Sequence, residues 1–403
     1  MKHILINIHY LEIGGAERAL LGLLSALDSK RVQVDLFLNQ HTGEFLPLVP
    51  SWVNLLPEIS AYTCIERPIS LLVKQGHLLI AAARLWAKFR HRMYARRLNE
   101  KQRQRDESIF QFMEQALHPF MPKVKPLKEY DLAINFLGQH YIVLDKERAK
   151  KKVTWIHTDY STVYINPQLG ISSWGAFDNI ISISPECTKA FLSVFPSLQS
   201  KIVEIENILS PQFIRQQAAL MNIDSEMPNE GEVVKILSIG RFSPPKNFEA
   251  IPEICAEIER QGVNFKWYIV GYGDDTQIQQ SLDKYRMRHR MILLGKKMNP
   301  YPYIKACDIY IQPSIYEGKS VTVREAQILG KPVVITNYPT ANSQITSGVD
   351  GMIVPLETMA CAKGIVDFIR NKELQSRLME YLHTHDFGNE KEVEKIYHCL
   401  LYT

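Results

Sequence analysis

The sequence predicts an α/β protein in which two doubly wound parallel sheets form separate domains. Its 403 residues exceed what a single hydrophobic core normally organises. Short apolar runs alternate with segments of helical period, which is typical of parallel sheets built from strand-helix-strand units. A polar interval at residues 222–232 interrupts this alternation near the middle of the chain. We therefore expect the domain junction there, together with the helix that precedes the interval from about Pro211.

The first domain is expected to cover residues 1–208. Apolar runs predict its strands at residues 3–8, 33–38, 131–136, 152–156, 178–183 and 202–205. The leucines from Leu20 to Leu27 recur at helical spacing, so a helix should begin near Ala16, directly after Gly14 and Gly15.

The second domain is expected to cover residues 209–387. Its strands are predicted at residues 233–240, 265–271, 291–295, 308–314 and 331–336, and a helix is predicted over residues 248–261. Each of these strands ends in a glycine or a polar cluster, as strand-to-helix turns do.

The composition is that of an ordinary globular protein, with 46% hydrophobic and 22% charged residues. No run approaches the roughly 18 to 20 apolar residues of a spanning helix. The first predicted strand begins at Lys2 and leaves no room for a secretory signal, so we expect a cytoplasmic protein. The six cysteines are widely spaced and form no C-x-x-C pair, which argues against disulfides and a zinc site.

A net charge of +4 does not suggest a polyanionic partner, but the basic residues are unevenly placed. Against the single acid Glu100, nine lie close together: Arg84, Lys88, Arg90, Arg92, Arg96, Arg97, Lys101, Arg103 and Arg105. Aromatic and aliphatic residues alternate with them in a helical pattern over residues 71–98, within a basic helical insertion at about 68–128. Such a helix lies well on an anionic lipid surface.

We predict membrane contact through Trp86, Lys88, Arg90, Arg92, Arg96 and Arg97. The alternative is a solvated helix whose arginine stems cover the core of the first domain. Nucleic acid is not an expected partner, because no recognisable binding module accompanies the charge.

Ligands of open parallel sheets lie beyond the carboxyl ends of the strands, which selects the candidate site residues. Gly14 and Gly15 precede a helix whose free amides and dipole favour a phosphate, although a tight turn with positive φ would also explain them. Arg241 follows Gly240 at a strand end, and Lys246 precedes the next helix. A guanidinium and an ammonium together stabilise a departing diphosphate, unless both charges are simply solvated.

The strongest local signal is the segment YEGKSVTVREAQILG. It places Glu317 at a strand end and Glu325 eight residues later in a helix, with Gly318 and Ser320 at the helix start. Carboxylates accept hydrogen bonds from sugar and ribose hydroxyls, and free amides at residues 318–320 can hold phosphate. One segment could therefore bind both ends of a nucleotide sugar.

The second half of the chain, from VVKILSIGRF through this segment to PVVITNYPTANSQITSGVDGMIVP, resembles the family 4 glycosyltransferases, and GGAERALLGLL extends the resemblance to the first domain. The resemblance implies the GT-B fold, in which two Rossmann-like domains face a central cleft. It implies a retaining reaction with no metal at the reaction centre and no cofactor besides the nucleotide sugar. It also implies that the last segment, residues 388–403, returns to the first domain as a helix.

Residue roles follow from the same resemblance. Arg241 and Lys246 would hold the diphosphate, and Glu325 the ribose hydroxyls. The whole implied donor site comprises Gly14, Gly15, Gly240, Arg241, Lys246, Gly271, Lys297, Glu317, Gly318, Lys319, Ser320 and Glu325. His157 would face the donor sugar and join Glu317, Arg241 and Lys246 as catalytic residues, with a structural histidine as the alternative. Asp159 is a weaker candidate for acceptor contact.

The sequence thus predicts transfer of a hexose or N-acetylhexosamine, most readily from a UDP-sugar, to a saccharide or polyprenyl-linked saccharide at the inner membrane face. A sugar-nucleotide epimerase of the same fold and a non-catalytic peripheral membrane adaptor are the alternatives. A dinucleotide-dependent oxidoreductase is disfavoured, because neither GGAER nor GYGDD contains G-x-G-x-x-G. Asp274 and Asp275 lack the Asp-x-Asp spacing of metal-dependent glycosyltransferases.

Overall fold

The computed structural model describes residues 1–65, 67–124, 128–158, 160 and 162–401, with side chains up to residue 398. The chain forms two compact units. Unit 1 contains Met1–Ile208 and the terminal segment from Glu390, and unit 2 contains Leu209–Asn389. Each unit has its own hydrophobic cores on the faces of its sheet.

Unit 1 contains a sheet of seven parallel strands in the order β3-β2-β1-β4-β5-β6-β7. The strands are β1 Lys2–Ile8, β2 Val32–Leu38, β3 Asn54–Leu55, β4 Glu129–Leu137, β5 Arg148–Ile156, β6 Asn179–Ser182 and β7 Ile202–Glu204. Residues Ile4 and Ile6 of β1 pair with Val34 and Leu36 of β2, and the side chains of β1 from Ile4 to Ile8 are buried. The strand order reverses between β1 and β4, which makes their carboxyl ends the expected place for a ligand.

The helices of unit 1 cover both faces of this sheet. They are α1 Gly15–Ala26, α2 Ser60–Thr63, α3 Ile69–Lys74, α4 Leu78–Ala95, α5 Glu100–Arg103, α6 Ile109–Leu117, α7 His140–Asp145, α8 Pro167–Gly175 and α9 Pro185–Val194. The helix predicted over residues 71–98 is divided into α3 and α4 because Gly76 takes a positive φ of 80° between them.

Unit 2 contains a sheet of six parallel strands in the order β10-β9-β8-β11-β12-β13. The strands are β8 Val234–Phe242, β9 Phe265–Gly273, β10 Met291–Gly295, β11 Ile309–Gln312, β12 Val333–Thr336 and β13 Met352–Val354. Its helices are α10 Pro211–Ala218, α11 Ile251–Arg260, α12 Thr276–Tyr285, α13 Tyr301–Ala306, α14 Val321–Ile328, α15 Ala341–Gln344, α16 Thr358–Arg370 and α17 Lys372–Thr384. The strand order reverses between β8 and β11.

The terminal segment packs against the loop that follows α1 in unit 1. It contains a short helix, α18 Val393–Lys395, and a π-helical turn over Ile396–Leu401. The Tyr397 hydroxyl accepts a hydrogen bond of 2.8 Å from the backbone N–H of Asp28, and the Arg31 guanidinium lies 3.6 Å from the centre of the Tyr397 ring. Arg31 also pairs with Glu394 at 2.7 Å, so charge and aromatic contacts hold this segment.

Candidate functional site

An ion pair joins the loops after β8 and β11, the two strands at which the order of unit 2 reverses. The Nζ of Lys246 lies 2.6 Å from Oε1 of Glu317, and the Ser314 hydroxyl donates to the same oxygen at 2.6 Å. The backbone N–H of Ile315 donates to the carbonyl of Pro245 at 2.8 Å, which links the two loops directly. Two residues predicted for donor binding, 71 positions apart, are thus brought together.

Both side chains of this pair remain within reach of a ligand. Lys246 is 23% exposed and Glu317 is 11% exposed. Glu317 holds the ammonium in place when no anion is bound. A diphosphate would therefore bind a preorganised ammonium, in competition with the Glu317 carboxylate.

Two glycines allow close packing at the ends of β8 and β9, where the Lys246 side chain lies against Gly240. A Cβ on Gly240 would lie 3.3 Å from Cδ of Lys246, and a Cβ on Gly271 would lie 2.4 Å from the carbonyl oxygen of Gly240. A larger residue at Gly271 would force the strand ends apart. Arg241 lies near the end of β8 with its side chain exposed, so the second predicted cation is accessible to solvent.

Glu317 belongs to a chain of hydrogen bonds that the sequence did not reveal. The Tyr310 hydroxyl contacts Gln312 Oε1 and Thr322 Oγ1, both at 2.8 Å. The Gln312 amide donates to the Ser314 hydroxyl at 2.8 Å, and Ser314 donates to Glu317. This chain of polar groups at the end of an apolar strand fixes the position of the carboxylate.

Glu325 is placed differently from what its predicted role suggested. It lies in α14 and is fully buried, and the Tyr301 hydroxyl donates to its Oε1 at 2.9 Å. A ribose could reach this carboxylate only if neighbouring groups moved. In this conformation Glu325 therefore does not present a surface for ribose hydroxyls.

The prediction of free amides at residues 318–320 is wrong for Ser320. Its backbone N–H donates to Oε1 of Gln344 at 2.9 Å, and the Gln344 amide donates back to the Ser320 carbonyl at 2.6 Å. The amide group of this glutamine occupies the position at the start of α14 that a phosphate was expected to take. Gly318 has open space where a Cβ would lie, and Lys319 is exposed.

Lys297 lies just beyond β10 and is tied to the polar interval that precedes unit 2's sheet. Its ammonium pairs with Glu226, and the Tyr303 hydroxyl donates to the same carboxylate at 2.8 Å. The hydrogen bond from Lys297 holds the pKa of Glu226 below its usual range. The side chain of Lys297 is therefore engaged in a contact within unit 2.

In unit 1, the glycine pair before α1 does not form a turn with positive φ. Gly14 caps the helix in an extended conformation, with φ −151°, and Gly15 is the first helical residue. A Cβ on Gly14 would lie 2.0 Å from a carboxylate oxygen of Glu17, whereas a Cβ on Gly15 would contact nothing. The Glu17 side chain folds over Gly14, so a carboxylate lies where a phosphate was predicted, and a larger residue at Gly14 would displace only the tip of this flexible side chain.

His157 follows β5 and lines a pocket of unit 1. Its ring packs on Phe136 with centroids 4.6 Å apart, and burial lowers its pKa to about 3, so the imidazole is neutral at physiological pH. Its Nε2 has no hydrogen-bond partner among the described residues. The Nε2 atom of His157 can therefore donate a hydrogen bond to a ligand hydroxyl or accept one from it, depending on the tautomer. Asp159, the predicted acceptor contact, lies outside the described residues.

The surface of α4 is unusual because its large apolar side chains face outward. The buried face of α4 carries small residues such as Ala83 and Ala87. Arg84 is buried on the same helix, and its guanidinium donates to the carbonyl of Cys64 at 2.8 Å. The exposed side chains form a stripe at helical spacing, which we call the apolar stripe: Leu78, Leu79, Leu85, Trp86, Phe89 and Met93. The exposed cations Lys88, Arg92, Arg96 and Arg97 lie on the same helix or directly after it.

Arg90 does not belong to this outward surface, so its predicted membrane contact is not supported. Its guanidinium lies 5.3 Å from the centre of the Phe112 ring and donates to Gln115 at 3.2 Å, both in α6. In the part of the chain that the structure describes, no helix is long and apolar enough to cross a membrane.

Residues 222–384 match the model of the family described as glycosyl transferases group 1. The chain is 27% identical over 152 residues to the putative colanic acid biosynthesis glycosyltransferase WcaL of Salmonella typhimurium, an alignment covering 35% of this chain and 37% of that protein. It is 28% identical over 123 residues to an Escherichia coli UDP-Gal:alpha-D-GlcNAc-diphosphoundecaprenol alpha-1,3-galactosyltransferase, covering 29% and 32% respectively. The alignments thus span about a third of the length of these relatives.

Solved structures resemble the chain over its whole length. Anabaena Alr3699/HepE, in complex with UDP and glucose, has a TM-score of 0.69 at 15% identity, with full coverage of both chains. TarM has a TM-score of 0.63 at 12% identity, covering 100% of this chain and 99% of that chain. These likenesses confirm the predicted fold class, two doubly wound parallel-sheet domains of the GT-B type. The match to the glycosyl transferases group 1 model is confined to residues 222–384, less than half of the chain.

Proposed function

We propose that this protein is a retaining glycosyltransferase of family 4. It would transfer a hexose or N-acetylhexosamine from a UDP-sugar to a saccharide or polyprenyl-linked saccharide at the inner face of a membrane. The observation that carries the proposal is the Lys246–Glu317 pair, because it lies at the strand reversal of a glycosyl transferases group 1 domain. Open parallel sheets bind their ligands at this position.

The charges at this position suit a nucleotide diphosphate sugar. The Lys246 ammonium and the exposed Arg241 guanidinium can neutralise a departing diphosphate, and the Glu317 carboxylate can accept hydrogen bonds from donor hydroxyls. For retention we propose attack on the face from which the diphosphate leaves, with its phosphate oxygen taking the acceptor proton. No strong protein base is then needed, and electrostatic stabilisation supplies most of the rate enhancement.

The comparisons support the choice of UDP and of a lipid-linked acceptor. Two solved structures of the same fold contain UDP or UDP-glucose, and one relative is named for transfer from UDP-Gal to GlcNAc-diphosphoundecaprenol. We extend these properties to the present chain as part of the proposal.

UDP release from UDP-glucose, UDP-galactose and UDP-N-acetylglucosamine tests the proposal on the purified full chain. We expect slow hydrolysis of one donor, and Lys246→Ala should lower its rate by roughly a hundredfold. Lys363→Ala, which removes an exposed lysine from α16, should leave the rate unchanged. Wild-type turnover by Lys246→Ala would contradict the site. An isomerised sugar nucleotide would indicate the epimerase, and intact donor would indicate the adaptor.

The membrane part of the proposal rests on the apolar stripe of α4 and the cations beside it. Each cation near an anionic surface contributes about 1 kcal/mol, and exposed aromatic rings add burial in the interfacial region. Flotation with vesicles containing phosphatidylglycerol tests it. Replacing Arg92, Arg96 and Arg97 by glutamine should reduce binding strongly, while the same change at the exposed Lys305, Lys363 and Arg377 of unit 2 should not. Equal loss in both variants would contradict a specific α4 contact.

A further inference from the structure

A pocket of about 360 Å³ lies in unit 1 beyond the carboxyl ends of β4 and β5. Its volume falls within the range of about 300 to 1,000 Å³ that small-molecule sites occupy. Helix α6 forms one wall, and the segments after the two strands form the others. Our inference rests on the function proposed above and concerns the acceptor.

Aromatic rings make up much of the wall. Trp155, Tyr160 and Trp174 line the pocket, and the exposed Phe110 of α6 stands at its edge. The Trp174 ring is held by Phe191, with centroids 4.9 Å apart, and the Tyr160 ring stands nearly perpendicular to it. Rigid flat rings of this kind pack against the C–H faces of sugar rings at little cost in conformational entropy.

Three buried polar atoms in the same wall lack partners. Within the described parts of the chain, Asn135 Oδ1, His140 Nδ1 and His157 Nε2 make no hydrogen bond. Burial lowers the pKa of His140 to about 4 and that of His157 to about 3, so both rings are neutral. Buried polar atoms are nearly always paired, so a ligand with several hydroxyl groups would complete this wall.

The charge of the pocket limits which sugars can enter. Among the described residues, no lysine or arginine lines it, whereas Glu107 and Glu114 do. The Glu114 carboxylate accepts a hydrogen bond of 3.3 Å from the backbone N–H of Tyr141, and none of the described residues that line this pocket is a lysine or arginine that could pair with it. Burial raises the pKa of Glu114 to about 7, so at about pH 8 a phosphate or a uronic acid would meet two carboxylates and no counter-ion among the described lining residues.

We propose that this pocket binds a neutral or amino sugar of the acceptor and discriminates against uronic acids and phosphorylated sugars. The location suits an acceptor near a membrane, because α6 also packs on α4. The Arg90 guanidinium of α4 stacks on Phe112 of α6, and the Tyr94 ring packs on Phe112 with centroids 5.4 Å apart. One helix therefore borders both the pocket and the helix that bears the apolar stripe.

Saturation-transfer NMR on the full chain tests the proposal with methyl glucoside, methyl glucosaminide and methyl glucuronide at about pH 8. We expect the first two to bind at least roughly tenfold more tightly than the glucuronide. The double variant Glu107→Gln, Glu114→Gln should bring the three within about threefold. Glu129→Gln, at the opposite end of β4, should preserve the preference. Equal binding of the glucuronide, absence of glucoside binding, or an unchanged preference in the double variant would overturn the inference.

Donor hydrolysis measured in the same preparations separates this inference from the proposed function. If UDP is released in a Lys246-dependent way but the glycosides bind without preference, the acceptor inference fails and the transferase proposal stands. If no sugar nucleotide is hydrolysed or bound, the transferase proposal fails whatever the glycosides do.

Discussion

Removal of the Lys246 ammonium should change both the stability of the protein and its affinity for UDP. The pair with Glu317 measures 2.6 Å, and its side chains are 23% and 11% exposed, so it lies between a surface pair and a buried pair. Exposed pairs contribute up to about 1 kcal/mol, and breaking a buried pair from one side costs about 3 to 5 kcal/mol. For Lys246→Ala we expect a loss of about 2 kcal/mol in the free energy of unfolding.

The same substitution should weaken UDP binding for a separate reason. A hydrogen bond to a charged group contributes about 1.5 to 3 kcal/mol, which corresponds to roughly a tenfold to hundredfold increase in Kd. Glu317→Gln should leave UDP affinity unchanged or improve it slightly, because the ammonium no longer has a competing carboxylate. The two effects can therefore be separated by combining both substitutions.

Calorimetry of the wild type, Lys246→Ala, Glu317→Gln and the double variant provides the assay. Scanning calorimetry should show the double variant more stable than the sum of the single changes predicts, since neither charge is left unpaired. Titration calorimetry should show weak UDP binding whenever Lys246 is absent. Lys363→Ala should lie within about 0.5 kcal/mol of the wild type. If Lys246→Ala is destabilised but binds UDP with wild-type affinity, the pair is purely structural and the reasoning is refuted.

Three further perturbations have defined outcomes. Glu325→Gln can keep the bond from Tyr301 and should change stability little, while transfer should fall by about tenfold if the carboxylate meets the donor. Trp86→Ser with Phe89→Ser should lower binding to anionic vesicles by more than roughly tenfold without destabilising the fold, because these rings are 56% and 54% exposed. Burial raises the pKa of Glu147 from 4.5 to about 8. Between these two pH values the unfolded chain has lost the Glu147 proton and the folded protein has kept it, so the free energy of unfolding falls as the pH rises. In the wild type this group should lower the free energy of unfolding by about 3 kcal/mol between pH 5 and about pH 8.5, and Glu147→Gln should abolish that loss.

Each of these outcomes has a measurement that can contradict it. If Glu325→Gln transfers sugar from the donor at the wild-type rate, the Glu325 carboxylate has only a structural role. Vesicle flotation of the serine variant should be compared with Leu220→Ser and Met221→Ser, which remove exposed apolar side chains from unit 2. Urea unfolding at the two pH values checks Glu147→Gln, and an equal gain at both would show that burial does not shift its titration.

Most of the fold could be predicted because each long strand is an apolar run with a polar end. The predicted strand at residues 291–295 coincides with β10, and the others differ from the structure mainly at their ends. The edge strands β3 and β13, of two and three residues, were missed because such short runs carry no periodic signal. The break before α4 depends on the positive φ of Gly76. The pattern of hydrophobic residues carries no information on that backbone angle.

The site was predictable as far as it depends on strand ends. The positional rule for parallel sheets selects Arg241 and Glu317, and Lys246 is added as the cation that precedes the next helix; the structure places Lys246 and Glu317 in contact. The rule does not predict which side chain accepts a hydrogen bond from a given backbone N–H. Gln344, which bonds Ser320 from α15, and Gln111, which lines the unit 1 pocket from α6, come from elements distant in sequence. Such partners are decided by tertiary packing.

The distribution of charge assigns different chemistry to the two units. A nucleotide diphosphate sugar carries its negative charge on the diphosphate, so the unit that binds it must supply cations at strand ends, as unit 2 does with Lys246 and Arg241. The pocket of unit 1 combines carboxylates with neutral imidazoles and, among its described lining residues, offers no cation. A diphosphate placed there would be buried without a counter-ion, which costs far more than a sugar hydroxyl does. Under the proposed function, exchange of donor and acceptor between these sites would be electrostatically unfavourable, and unit 1 would be the unit that discriminates acceptors by their charge.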